Sequence, residues 1–195
     1  MRGIRKRKSG YPTQLIIMNL PKVLPQQTEE NKNYPVMGAH TISKWPGTLV
    51  VHRIVTKVDE TLGVVAISDK HPAAIITSPC IAGTIDISTL TVNVKNQEPL
   101  LDGGLACLGG EEIIEFGSAE LSEEGLTLHD IKRGLHKTKQ LTDITSFVLL
   151  DASLQVAAIQ ADDLGIPALW SWGDQFSDPE SRPMIRFEPV ALDQE

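Results

Sequence analysis

LACLGGEEIIEFGSAEL, residues 105–121, admits two readings, and the choice between them decides the fold and the function. Gly103, Gly104, Gly109 and Gly110 precede a carboxylate pair, and Glu115, Glu120 and an arginine follow. Paired carboxylates beside a flexible loop are what a glycosidase needs for acid and base work. The same residues also spell a glycine turn, a short strand over 112–117 with Ile114 and Phe116 on one face, and a second turn. On such a strand Glu112 and Glu115 point to opposite faces. Glu111, Glu112 and Glu115 are then expected to be solvated strand-edge carboxylates, and Gly110 a turn residue.

The flanking sequence repeats the β pattern. WPGTLVVHRIV (45–55), VDETLGVVAIS (58–68), AAIITS (73–78) and TIDISTLTVNV (84–94) are short apolar runs punctuated by turn residues, with apolar positions mostly alternating in the last. EPLLDGGLACLGG (98–110) and LTLHDIKRGL (126–135) continue it, the latter with a tight turn at His129-Asp130. SFVLLDASLQVAAI (146–159) reads either as two strands broken at Asp151 or as a strand and one helical turn. PALWSWGDQFSDPESRP (167–183) reads as a loop, and RFEPVAL (186–192) as a closing strand without an evident partner. Intervals this short leave no room for crossover helices. The expected fold is all-β, with two small β-sandwich or barrel-like domains and an extended N-terminal segment. The expected divisions are a basic head and docking segment over 1–39, β domains over 40–90 and 91–160, and a C-terminal loop and strand over 161–195.

At 195 residues the chain is long enough for a hydrophobic core without disulfides. Cys80 and Cys107 sit in apolar surroundings without ligand spacing, which favours buried reduced thiols. The net charge of −7 is uneven, because Arg2, Arg5, Lys6, Arg7 and Lys8 leave 13 basic against 25 acidic residues elsewhere. A body that acidic does not suit specific nucleic-acid binding, which needs a basic face. The head is either a solvated terminus or a contact to an acidic partner. No apolar run reaches the length of a signal core or of a membrane span of about 20 residues. The chain is expected to be soluble where it is made.

Catalytic arrangements are sparse. His129-Asp130 lacks the further ligands of a metal phosphohydrolase, the five histidines form no H-x-x-x-H or H-E-x-x-H pattern, and no serine lies in G-x-S-x-G. The glycines of DGGLACLGG have no Lys-Ser/Thr behind them to cradle a phosphate. No enzyme activity, metal or cofactor is expected. Trp170, Trp172 and Phe176 form either an aromatic platform for a glycan or packing at a subunit interface.

The order of these segments resembles the β-rich part of phage tail tip and baseplate hub proteins, the group that includes the TIM-barrel-containing tail protein of gene transfer agents and tail host-specificity proteins. That group carries a Gly-Glu-x-Ile-x-Phe strand, then Ala-x-Leu, a turn, a strand, and an Arg-Gly-Leu-x-Gly-Thr turn. Glu111 or Glu112, Ile114 and Phe116 match the first part, Ala119 and Leu121 the second, and Arg133, Gly134, Leu135 and Thr138 the third. His136 and Lys137 depart from it, standing where the group carries Arg and Gly. KWPGTLVVHRI (44–54), SFVLLDASL and LIIMNLPKVLP extend the likeness over about residues 14–190. The resemblance implies a virion protein of the tail tip, made in the host cytoplasm, that docks in an oligomeric assembly onto hub, tube or fibre proteins and contacts a host receptor. It also implies the tail-end portion of a longer hub made separately. Leu15, Ile17 and Leu20 are then expected to dock on a separate tail protein, with Arg133 and Gly134 forming a scaffold turn whose guanidinium bonds a carboxylate or backbone carbonyls.

Overall fold

The computed structural model describes residues 13–192, so the expectation for the basic head lies outside the described residues. In chain order the strands are β1 (Thr13–Met18), β2 (Val36–Thr41), β3 (Leu49–Asp59), β4 (Gly63–Ser68), β5 (Ala74–Ile76), β6 (Ala82–Asp86), β7 (Thr91–Val94) and β8 (Gly104–Leu108). They continue as β9 (Glu112–Phe116), β10 (Ser118–Ser122), β11 (Gly125–His129), β12 (Lys132–Leu135), β13 (Ile144–Leu149), β14 (Gln155–Val156), β15 (Ala168–Gly173) and β16 (Met184–Phe187). Three short 3-10 turns are the helical elements among the described residues. The chain is all-β, and SFVLLDASLQVAAI resolves into two strands broken at Asp151.

The strands form three antiparallel sheets. A small one has the order β1-β2-β14. A large one has the order β10-β11-β7-β6-β13-β8-β9-β12 and curls into a half-barrel. The third runs β16-β15-β3-β4, with β5 pairing the start of β3.

The small sheet is the middle layer. Leu15, Met37 and Ala39 on one of its faces pack with Leu49, Val51, Ile76 and Trp170 of the β3 sheet. Met18 and Val36 on the other face pack with Cys107, Ile113 and Val148 of the large sheet, joined by Leu20 and Leu24 from the following turn. A strand buried on both sides cannot alternate with polar residues, which explains the continuous apolar runs LIIM and VMGA. Gly38 marks the tightest point. A Cβ there would stand 2.6 Å from Leu154 Cδ2 and 3.0 Å from Cys80 Sγ. The inner face of the half-barrel holds the third cluster, built around Ile85, Leu108, Ile114, Phe116 and Phe147.

This arrangement corrects several expectations. The division at 90/91 falls inside the β6–β7 hairpin, and that at 39/40 cuts β2. The tryptophan segment is not a loop, because β15 is a central strand paired with β3 from Leu169↔Ile54 to Gly173↔Val50. The closing strand does have a partner but is displaced: β16 (Met184–Phe187) pairs β15, and of the expected 186–192 only Arg186 and Phe187 belong to it. Turn signals are local, whereas the pairing of β3 with β15 joins segments far apart in sequence and leaves no local trace. The docking expectation fails likewise for its named residues: Leu15 and Leu20 are buried in this chain's own cores and Ile17 packs against one of them.

Leu15→Ala and Leu20→Ala are each expected to lower the unfolding free energy by about 2 to 5 kcal/mol, and Phe116→Ala by about 3 to 5 kcal/mol, in urea titrations of the full chain. An unchanged midpoint for Leu15→Ala or Leu20→Ala would show that the first strand is not packed on its own chain.

Candidate functional site

The carboxylate-rich hairpin is built by its glycines. Gly109 (φ 59°) and Gly110 (φ 71°) turn β8 into β9, and the positive φ at both positions is what a tight hairpin turn asks for. The alternation of β9 then sends Ile114 and Phe116 into the half-barrel core, where the Phe116 ring lies 6.4 Å from that of Phe147.

Glu112 is the exception among the acidic residues and a correction to the expectation of solvated edges. It is fully buried, and Arg133 grips it in a two-pronged pair, Nε to Oε1 at 2.9 Å and Nη2 to Oε2 at 2.6 Å. The N–H groups of Leu141 (2.8 Å) and Gly134 (3.2 Å) donate to the same carboxylate. Arg133 Nη2 also donates to the Leu141 carbonyl at 2.6 Å. Burial pushes the Glu112 pKa up, but the Arg133 guanidinium and the two backbone donors outweigh it and hold the carboxyl below its ordinary value. Each Glu112 oxygen therefore has protein donors, and the group works as a clamp between β9, β12 and the segment leading into β13.

The remaining acidic residues are scattered. Glu111 is exposed, Glu115 pairs with Lys132 at 3.3 Å, and Glu120 lies 3.4 Å from His129. Both thiols are buried, and that burial pushes each to about 12. Among the described residues no group of three or more His, Cys, Asp or Glu side chains gathers to hold a metal ion. No helix among them is long and apolar enough to cross a membrane.

The three aromatic residues of the C-terminal part do not share a surface. Trp170 is fully buried in the core, its Nε1 donating to the Phe187 carbonyl at 3.2 Å. Trp172 is partly buried, donates to the Thr13 carbonyl at 3.1 Å, and lines a cleft of about 320 Å³ with Asp174 and Arg182. Phe176 is 88% exposed. A platform of all three is excluded because Trp170 belongs to the strand interior.

Two further arginines went unread in the sequence. Arg53 bridges Asp69 (2.9 Å) and Asp163 (2.7 Å), tying β3 to two turns. Arg182 is buried and forms no ion pair with a carboxylate among the described residues. It donates to the Asp174 and Ser177 carbonyls (2.7 and 2.8 Å), to Ser177 Oγ, and to His52 Nδ1 at 2.9 Å. A guanidinium only donates, so His52 Nδ1 accepts and the imidazole is neutral. Nothing in SDPESRP distinguishes such a clamp from a surface arginine.

No family model matches the chain, and no curated protein matches it.

Because its folded pKa is depressed, Glu112 contributes stability that is fully present above its unfolded value of about 4.3 and is lost as pH falls through the lower folded value. Glu112→Gln turns an acceptor into an amide facing the Leu141 and Gly134 N–H donors and is expected to cost about 3 kcal/mol at pH 7. The loss should shrink below pH 4 in urea titrations across pH, and a loss independent of pH would contradict the ionised clamp.

Proposed function

We propose that the chain is a structural β module of a phage tail tip or baseplate hub, acting by packing against neighbouring tail proteins. The observation that carries this reading is the ordered motif series. Its first and third parts fall on β9 and β12, paired at one edge of the large sheet and fastened together by the Glu112–Arg133 pair, and its second part falls on β10 at the other edge of the same sheet. The arginine of the motif thus has a scaffolding task, and so does the carboxylate that most resembled a catalytic acid.

A second feature supports an assembling role. Among the described residues, β3 beyond Ile54 pairs only with β4, which leaves a two-stranded arm with an open β4 edge. Val58, Leu62 and Val64 on this arm are 83, 75 and 73% exposed. Val58 and Val64 lie directly opposite each other and share a face with Thr56 and Ala66. Exposed apolar residues along an unpaired edge favour strand addition by a neighbouring chain. In this reading the arm takes over the docking task expected of Leu15, Ile17 and Leu20.

Antibody labelling of the epitope-tagged chain in purified particles is expected to mark the tail tip. Val58→Lys/Val64→Lys should reduce incorporation at least tenfold with an unchanged melting temperature, while Glu111→Gln and Glu115→Gln leave infectivity intact. A chain absent from purified particles would overturn the reading.

A further inference from the structure

A cleft of about 490 Å³ opens between the end of β2 and the start of β6. Its lining includes His40, Lys44, Trp45, Lys95, Asn96 and Asp151. A second hollow of about 330 Å³ shares His40 and Ala82 with it and is also lined by Gln14, Thr84 and Ser146. Neither lysine meets a carboxylate among the described residues, in a chain with 25 acidic side chains. Lys95 Nζ is held by the Ser43 carbonyl at 3.1 Å, while Lys44 is exposed. The Trp45 indole N–H donates to the carbonyls of Gly47 and Thr77, which fixes the ring at the cleft wall with part of its surface open. One oxygen of Asp151 accepts from the Ser153 N–H and hydroxyl, which leaves the other for a donor.

We propose that this cleft binds an acidic saccharide, a sugar carrying a carboxylate or phosphate. The two ammonium groups take the anion, the fixed indole takes the apolar face of the ring, and Asp151, Asn96 and His40 take hydroxyls. A bare inorganic anion would leave the indole and Asp151 without a role. An acidic peptide fits less well, because β6 is paired on both sides and the end of β2, which has no β14 partner beyond Met37, already accepts at the Ala39 carbonyl from the Cys80 N–H. The cleft volume of about 490 Å³ lies in the range of small-ligand sites. This inference stands apart from the tail reading, since it concerns binding by the isolated chain whatever particle the chain belongs to.

The test is calorimetric titration of the full chain with trigalacturonate, with glucose 6-phosphate, with the neutral methyl ester of trigalacturonate, with inorganic phosphate and with a glutamate-rich hexapeptide. At least one of the two acidic sugars is expected to bind, more weakly as salt rises. The methyl ester should bind at least about tenfold more weakly than the acid it derives from, if the acid is the ligand. Lys44→Gln/Lys95→Gln should weaken binding at least about tenfold with an unchanged melting curve, both side chains being exposed. Failure of both acidic sugars, equal binding by the double variant, or binding of phosphate or the peptide alone would each overturn the proposal.

Discussion

The fold depends on burying the β1–β2 hairpin on both faces. One face completes the core of the β3 sheet through Leu15, Met37 and Ala39, and the other completes the core behind the half-barrel through Met18 and Val36. Full burial of such side chains is worth about 1.5 to 3 kcal/mol each, so the hairpin contributes to two cores at once. Without it, both neighbouring sheets would present apolar faces to water. The requirement reaches single atoms at Gly38, where even a methyl group would collide with Leu154. Removal of the first 24 residues would therefore strip β1, Leu20 and Leu24 from this layered core, contrary to the expectation of a segment that docks on another protein.

Around this layered core, buried or half-buried arginines fasten what strand pairing leaves loose. Arg133 holds the β12 turn to Glu112, Arg53 holds two turns to β3, and Arg182 gathers the carbonyls of the 174–177 loop over β3. The planar guanidinium suits each task because it offers five donors in fixed directions. Glu112 shows the consequence for function. A carboxylate saturated by an arginine and two backbone N–H groups is committed to structure, and that commitment is the physical content of reading the hairpin as scaffold.

The strand over β9 was legible because the information is local: two turn glycines, then apolar residues whose alternation places Ile114 and Phe116 together. The all-β character followed from the same kind of signal repeated along the chain. What escaped was set at long range. Glu112 looks like its neighbour Glu111, and only the return of β12 and Leu141 makes one buried and the other exposed. PALWSWG has the composition of a loop but pairs with β3 as a central strand. Lys44 and Lys95, distant in sequence, meet at one cleft only because β2 and β6 are brought together by layers that no window reveals.

Hydrogen exchange of the isolated full-length chain tests the layered core most directly. The account predicts that the paired amides of β1 and β2 exchange only through global opening, with protection equal to that of β8 and β13. Rapid exchange in β1 and β2, with β8 and β13 still protected, would mean that the hairpin is a separable docking segment and that the two larger sheets stand without it.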